Sequence, residues 1–427
     1  MEGTRPQPSP ANPCPAPGAS STPVTVSPGD LLAALASVPD PRRRQGTRFP
    51  LASLLALAVT AILANHLSVL AIAEWGARQG RELLESLGLA GGIAPHQTTL
   101  SRLFRRLHPE ALSAALTAYF SGPAAGLPAP PPPPRGREGV AIDGKAHRGR
   151  IPFDSAAGTV HALSAFLHDS GIVLAQEPIG EVAPAAPAAE TAVPQDKAEA
   201  ERSVAPTLIA RLDWRGRVFT GDALYTQRSI CEQVVAAGGD YLLIVKENQP
   251  RLCSDLQLLF DAPAEQALPL LDRRETRTVE TGHGRHEDTR HLVASTDLAG
   301  YSDWPHLAQA FRLERTWEEK GRTRRQVRYG ITSLPPDVAG PDRLLALKRG
   351  HWQIENRDHY VQDVTLGEDR SPIHRDQGPW VLATLRDLAL SLLHRAGHHA
   401  IASRLRYHST HPEAAAALVL GGAGQNA

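Results

Sequence analysis

Cysteine is nearly absent. Cys14, Cys231 and Cys253 are the three in 427 residues, and no two share the short spacing of a zinc site or a disulfide framework. Lysine is almost as scarce: five of the 45 basic residues, the other forty being arginine. An Ala/Pro/Arg-rich composition follows readily from a GC-rich genome, although Arg forks also suit phosphate. Net charge is missing too, since 45 acidic residues cancel the 45 basic ones. On the global sum that argues against a nucleic-acid binder. The distribution says otherwise: from Pro41 to Arg150 there are 14 basic and 6 acidic residues, a local excess of +8, and local sign governs contact with phosphates. The opening Met1-Glu2-Gly3-Thr4-Arg5-Pro6 lacks the apolar core of a secretory leader, so a cytoplasmic protein is expected. The uncharged stretch from Phe49 to Ala73 is long enough for a membrane span. Pro50 at its start and Asn65 and His66 near its middle favour a pair of buried helices and no membrane.

What is present divides the chain. Residues 1–27, rich in Pro, Ser and Ala, are expected to be a disordered tail. Helical periodicity from Gly29 to about Phe120 predicts a helical domain over 28–122. Inside it Thr98 or Thr99 can cap a helix whose Leu100, Leu103 and Leu107 face inward and whose Arg102, Arg105 and Arg106 face outward. That face suits DNA contact and equally suits plain solvation. The prolines from Pro128 to Pro134 make 123–137 a stiff linker.

From 138 to 400 strands and helices mix. Val140–Asp143 reads as a buried strand, and two more flank the hairpin turn Asp169-Ser170-Gly171. Arg217–Gly221 is a strand, Thr226 caps a helix that Gly238-Gly239 stops, and Tyr241–Val245 is a further strand. Three meandering strands, a crossover and strand–helix–strand resemble an α/β fold with a ribonuclease H-like mixed sheet. Residues 265–338 read as a β-rich insertion. Helical patterning resumes after Pro341 and again from Pro379 to His399, leaving 401–427 as a tail.

Three acidic residues carry the chemistry. Asp143 ends the run Gly139-Val140-Ala141-Ile142, Asp222 ends Val218-Phe219-Thr220-Gly221, and Glu355 lies in the helical His351-Trp352-Gln353-Ile354-Glu355-Asn356. In such a sheet the first and fourth strands are parallel neighbours, so Asp143 and Asp222 meet at the edge where open α/β sheets place their sites. At helical spacing Lys348, His351, Glu355 and His359 share a face. Two strand carboxylates and one from a helix can hold two magnesium ions, with manganese as a substitute, against a phosphodiester. Without metal they repel, and at least one pKa rises. Other readings stay open. Asp-Gly is a common turn pair, Glu355 can pair with His351 or His359, and Asp363, Glu368 and Asp369 compete for the third role. Lys246 and Asn248 follow a strand beside the expected site, placed for DNA backbone contact or, equally, as a loop lysine and a helix-capping asparagine. His283 and His286 lack cysteine partners for zinc, and Trp352 reads as packing beside Glu355, with base stacking as the alternative.

An ordered set of longer motifs narrows this. The segment Val38 to Leu51, Ala73-Glu74-Trp75-Gly76, Pro95 to Phe104, Ala141-Ile142-Asp143-Gly144-Lys145, Val160 to Phe166, Gly221-Asp222-Ala223, Tyr241 to Gln249, His283-Gly284-Arg285 and His351 to Asn356 occur in family order. Across Leu31 to Arg395 the chain resembles bacterial insertion-sequence transposases of the DDE type, in the ISAs-type branch. The resemblance implies metal-binding roles for Asp143, Asp222 and Glu355. It also implies an amino-terminal domain that recognises terminal inverted repeats in double-stranded DNA, and a catalytic domain that cuts at each element end and joins the 3′-hydroxyl to target DNA. A homodimer would pair the two ends, working at the nucleoid. Arg102, Arg105, Arg106, Lys145, Lys246, Asn248 and His351 are the expected DNA contacts. Related transposases carry Arg four residues before the Glu and Lys seven beyond it, where this chain has His351 and Gln362; ISAs-type members share the His-Trp form. The loop 181–203 is long and Pro/Ala-rich. These departures leave a rival: a catalytically retired DNA-binding protein derived from a transposase.

Overall fold

A computed structural model describes residues 31–43, 47–121, 137–147, 160–179, 197–262, 270–282, 285–368, 371, 373 and 375–421. The expected tail 1–27, the proline run and residues 181–196 of the long loop lie outside the described residues.

Among the described residues six α-helices come first: α1 (Leu31–Ala36), α2 (Leu51–Leu63), α3 (Val69–Arg78), α4 (Arg81–Ser86), α5 (Gln97–Phe104) and α6 (Pro109–Ser121). Every residue of α2 except Ala52 is buried, so it is a central helix that other helices surround, not an amphipathic one. The uncharged stretch 49–73 is therefore α2, the turn at Asn65, and the start of α3. No described helix is long and apolar enough to cross a membrane. Neither threonine caps α5. The extended His96 does, its Nδ1 accepting from the Thr98 backbone N–H at 3.2 Å.

The sheet follows: β1 (Glu138–His147), β2 (Val160–Leu167), β3 (Val173–Ile179), α7 (Lys197–Ala210), β4 (Arg217–Gly221), α8 (Arg228–Ala236), β5 (Asp240–Val245) and α9 (Pro250–Asp261). Thr226 does not cap α8. Its hydroxyl donates to the Ile244 carbonyl at 2.6 Å, and Gln227 occupies the cap position. Four long strands continue the sheet: β6 (Arg274–Gly282), β7 (Arg285–Ser295), β8 (Gln309–Glu319) and β9 (Arg322–Thr332). The order is β3-β2-β1-β4-β5-β9-β8-β7-β6. β1–β4 and β4–β5 are parallel pairs, while β9 returns antiparallel to β5. α10 (Pro341–His351) runs into π-helical turns over Ile354–His359 and Val361–Thr365. α11 (Gly378–Arg395), α12 (Ile401–Thr410) and α13 (Pro412–Val419) close the chain.

The period of two sorts the sheet's faces. Val140 and Ile142 point to the core built with α7, α8 and α9. Ala141, between them, packs with Phe166, Val173 and Ile354 on the other face. Asp143 follows that alternation onto the Ala141 side, the side of α10. A separate core joins α1–α6 to α11, α12 and α13: Leu54, Leu57, Ile62 and Trp75 share one cluster with Leu385, Leu388, Ile401, Leu405, Leu418 and Val419. Residues 401–419 are thus packed helix, where a tail is expected from sequence.

Candidate active site

Asp143 sits where the two ladders of β1 part. Parallel pairing with β4 ends at Ala141–Thr220, while antiparallel pairing with β2 runs on through Asp143–Ser164 to His147–Val160. The strand therefore extends past Asp143 rather than ending there. What ends beside it is the parallel part of the sheet, and Asp222 comes directly after β4.

The helical segment over this edge supplies the rest. Pro341 opens α10, and Ile354 anchors its continuation against Ala141 and Phe166. The segment runs in π turns, with i→i+5 bonds such as Tyr360 N–H to the Glu355 carbonyl and Leu366 N–H to the Val361 carbonyl at 2.9 Å, and residues four apart fall on one side of it. Glu355 and His359 thus point the same way. One ligand atom each from Asp143, Glu355 and His359 lies within 4.8 Å of the others, and His359 Nδ1 is 3.8 Å from Asp143 Oδ2. Glu355 is exposed and His359 buried. Two carboxylates and an imidazole nitrogen are a donor set that fits a divalent cation.

Burial, then Glu355, Glu201 and Asp222, push the Asp143 carboxyl up to about 7 against the backbone bond from Gly144. Asp222 is exposed and outside the three-residue cluster, yet close enough to act on Asp143 and on Lys348. Lys348 is buried; desolvation brings it down to about 8 while Asp222 resists the fall. Sequence reasoning missed Glu201, which is buried on α7 and accepts from the Tyr225 hydroxyl at 3.5 Å. Its trace in the sequence is Gly144: a Cβ there would run into the Glu201 carboxyl. His359 appeared only as one residue of a shared face.

Two expected DNA contacts are corrected. Lys145 is buried and points inward, bonding Gln362, Glu368 at 2.6 Å and Asp363 at 3.0 Å. Burial lowers its pKa, but Glu368 and Asp358 more than reverse that, leaving it above the ordinary value. The same contacts occupy Asp363 and Glu368, the rivals of Glu355; Asp369 lies outside the described residues. His351 is also buried, which pushes it down to about 3 and keeps it neutral. Its Nδ1 lies 3.4 Å from the Thr220 hydroxyl, and His168 Nε2 is 2.9 Å from the same oxygen.

The other candidates stay at the surface. Arg102 is exposed. Arg105 pairs with Asp376 at 2.5 Å, and Arg106 donates to the Pro41 carbonyl at 2.9 Å. Arg102 stands on α5, Arg105 caps its carboxyl end and Arg106 follows in the turn. Lys246 is exposed after β5. Asn248 donates to the Ala223 carbonyl at 2.6 Å, tying its loop to the turn after Asp222; Gln249, not Asn248, precedes α9 as cap residue. Trp352 is half exposed rather than packed away. The side chains of His283 and His286 lie outside the described residues.

Fold and site together define a mixed α/β protein with a candidate divalent-cation centre at a parallel strand edge. Residues 134–392 match the family described as "Transposase DDE domain", and residues 32–120 the one described as "DDE_Tnp_1-associated". The first match covers more than half of the chain, which belongs to the DDE-domain transposase family. Relatives agree. "Putative transposase YncI" of Escherichia coli O157:H7 is 27% identical over 371 residues, covering 85% of this chain and 87% of the relative. "Putative protein YbfL" of Escherichia coli K12 is 26% identical over 376 residues, covering 85% and 90%. "H repeat-associated putative transposase YhhI" of the same strain is 28% identical over 267 residues, covering 60% and 63%.

Proposed function

We propose that the chain is the transposase of a bacterial insertion sequence, cutting the phosphodiester at each element end and joining the freed 3′-hydroxyl to target DNA. The observation that carries this reading is the convergence of Asp143 and Glu355, from distant parts of a DDE-family chain, with Asp222 in electrostatic reach. The strand order β3-β2-β1-β4-β5 with β1 and β4 parallel supports a ribonuclease H-like arrangement. Asp143, Asp222 and Glu355 would hold two magnesium ions, or manganese in their place, which when bound supply an activated water or 3′-hydroxyl and a stabilised leaving oxygen.

The chain's own residues do the positioning. β1 and the π turns fix Asp143 and Glu355 from opposite sides. Asp143 must be ionised to act as a ligand, so binding draws off a proton at neutral pH. Lys348 holds a positive charge beside Asp222. Arg102, Arg105, Arg106 and Lys246 offer surface cations to phosphates, and Asn248 holds the loop that presents Lys246. In this reading the helices of 28–122 recognise the terminal inverted repeats, 138–400 is the catalytic domain with its β insertion near 265–338, and two copies pair the two ends.

The test is nicking of a DNA carrying the element end, with magnesium, by wild type and by Asp143→Ala, Asp222→Ala and Glu355→Ala. Cleavage by wild type alone supports the proposal; equal cleavage by the triple variant sinks it. A second reading, a retired DNA-binding descendant, is motivated by Asp222 lying outside the three-residue cluster and by Gln362 being buried in the Lys145 network. Specific binding to the element end with no metal-dependent cutting would favour it.

A further inference from the structure

We propose that His359 is a protein ligand of the divalent ion held by Asp143 and Glu355, so that this ion carries a nitrogen donor. The inference rests on the reading that those two carboxylates bind a cation, and goes beyond it by adding an imidazole to an all-carboxylate set.

The geometry is two-sided. On one side of the ring, Nδ1 faces Asp143 Oδ2 at 3.8 Å, within a cluster whose ligand atoms all lie within 4.8 Å. On the other side, Nε2 faces Asp358 Oδ2 at 3.7 Å. Asp358 is fully buried and held by the Gln362 amide, which donates to its Oδ1 at 2.8 Å. A metal-bound imidazole must be neutral, with its proton on the nitrogen away from the ion. A buried carboxylate 3.7 Å from that nitrogen, beyond hydrogen-bond length, favours this tautomer electrostatically and stands on the side where histidine ligands commonly carry a carboxylate partner. The His359 side chain is 8% exposed, so one ring edge meets Asp143 while the other meets protein. His359 lies one turn beyond Glu355, so both side chains reach the strand-edge side.

The consequence is selectivity. Magnesium prefers oxygen donors and keeps its waters, whereas an imidazole nitrogen is a ligand for the first-row transition ions, manganese binding least tightly among them. His359 therefore makes the Asp143–Glu355 ion site favour manganese over magnesium more strongly than carboxylates alone would. The side chain is a ligand and orienting group; no proton transfer is assigned to it.

The experiment uses the full chain with Mn2+ and no DNA. Electron paramagnetic resonance counts bound Mn2+, and electron spin-echo modulation reads directly bonded imidazole nitrogen. Wild type should show nitrogen modulation, and protein labelled with 15N-histidine should show it altered, a readout that needs no substitution. His359→Gln should lose the modulation and weaken Mn2+ binding by at least the roughly 10-fold that loss of even an outer partner costs, with a smaller loss for Mg2+. Bound Mn2+ without nitrogen modulation in wild type, or modulation that survives His359→Gln, overturns the proposal while leaving the carboxylate site standing. Mn2+ binding that is unchanged in Asp143→Asn and Glu355→Gln overturns the underlying reading instead, and this inference with it.

Discussion

Asp143 is a liability to the metal-free fold. Its carboxyl is raised from 3.8 to about 7, first by burial and then by Glu355, Glu201 and Asp222. A raised acid binds its proton more tightly when folded, so the folded state is favoured below about 3.8 and loses stability as pH climbs toward 7. The full shift corresponds to roughly 4 kcal/mol. With a quarter of the side chain exposed, on the order of 2 kcal/mol is the working figure. Asp143→Asn is therefore expected to melt higher than wild type in chelator at pH 8, with the gain gone near pH 4. Thermal unfolding at the two pH values checks it, and a wild type that melts as high at pH 8 would refute the account. Added Mg2+ should raise the wild-type midpoint but not that of the variant, because only a ligand that binds the folded state shifts its stability.

At the scale of the element, docking of the helix that carries Glu355 depends on close fits and one buried cation. His168 sits in a slot between β1 and α10 where a Cβ on either Gly139 or Gly350 would collide with its ring. Gly350→Ala is expected to destabilise by about 1–3 kcal/mol through overpacking, and urea unfolding measures it. Lys145 closes the other side, where Gln362, Asp363 and Glu368 meet it and Gln362 in turn bonds Asp358 and Asp387. Lys145→Met leaves those carboxylates without their cation, a loss of about 3–5 kcal/mol for a broken buried pair. If the variant unfolded at the wild-type urea concentration, the Lys145 contacts would contribute nothing to docking the helix. The strands and the Glu355 helix were legible because alternation and helical spacing are local. Period two even places Lys145 on the face of Asp143. What covers that face is a tertiary matter, so a Lys two residues past a site Asp read as a DNA contact. His351 misled in the same way: its position pointed to phosphate, and its burial beside Thr220 makes it neutral. The π turns over Ile354–His359 and Val361–Thr365 left no signature that helical spacing could detect.

Across the whole molecule, the first six helices and the last three are one packed body. α2 is enclosed partly by residues more than 300 positions away, including Ile401, Leu405, Leu418 and Val419, and Arg386 of α11 donates to the Leu67 carbonyl at 3.0 Å. Sequence patterning drew a boundary near 122 because proline runs are visible and long-range packing is not. Burying four such aliphatic side chains contributes roughly 6–12 kcal/mol as an upper bound, comparable with the net stability of a domain. Removing residues 400–427 should therefore loosen α2 even though the cut is remote in sequence. Amide hydrogen exchange reads this directly: α2 protection is expected to fall in the truncated chain, while β4 and β5, whose core is built with α8 and α10, keep theirs. Unchanged α2 exchange would mean that the amino-terminal helices stand alone. Loss of protection in both regions together would mean that the helical body and the sheet unfold as one unit, and a substitution in either would then be felt at the carboxylates.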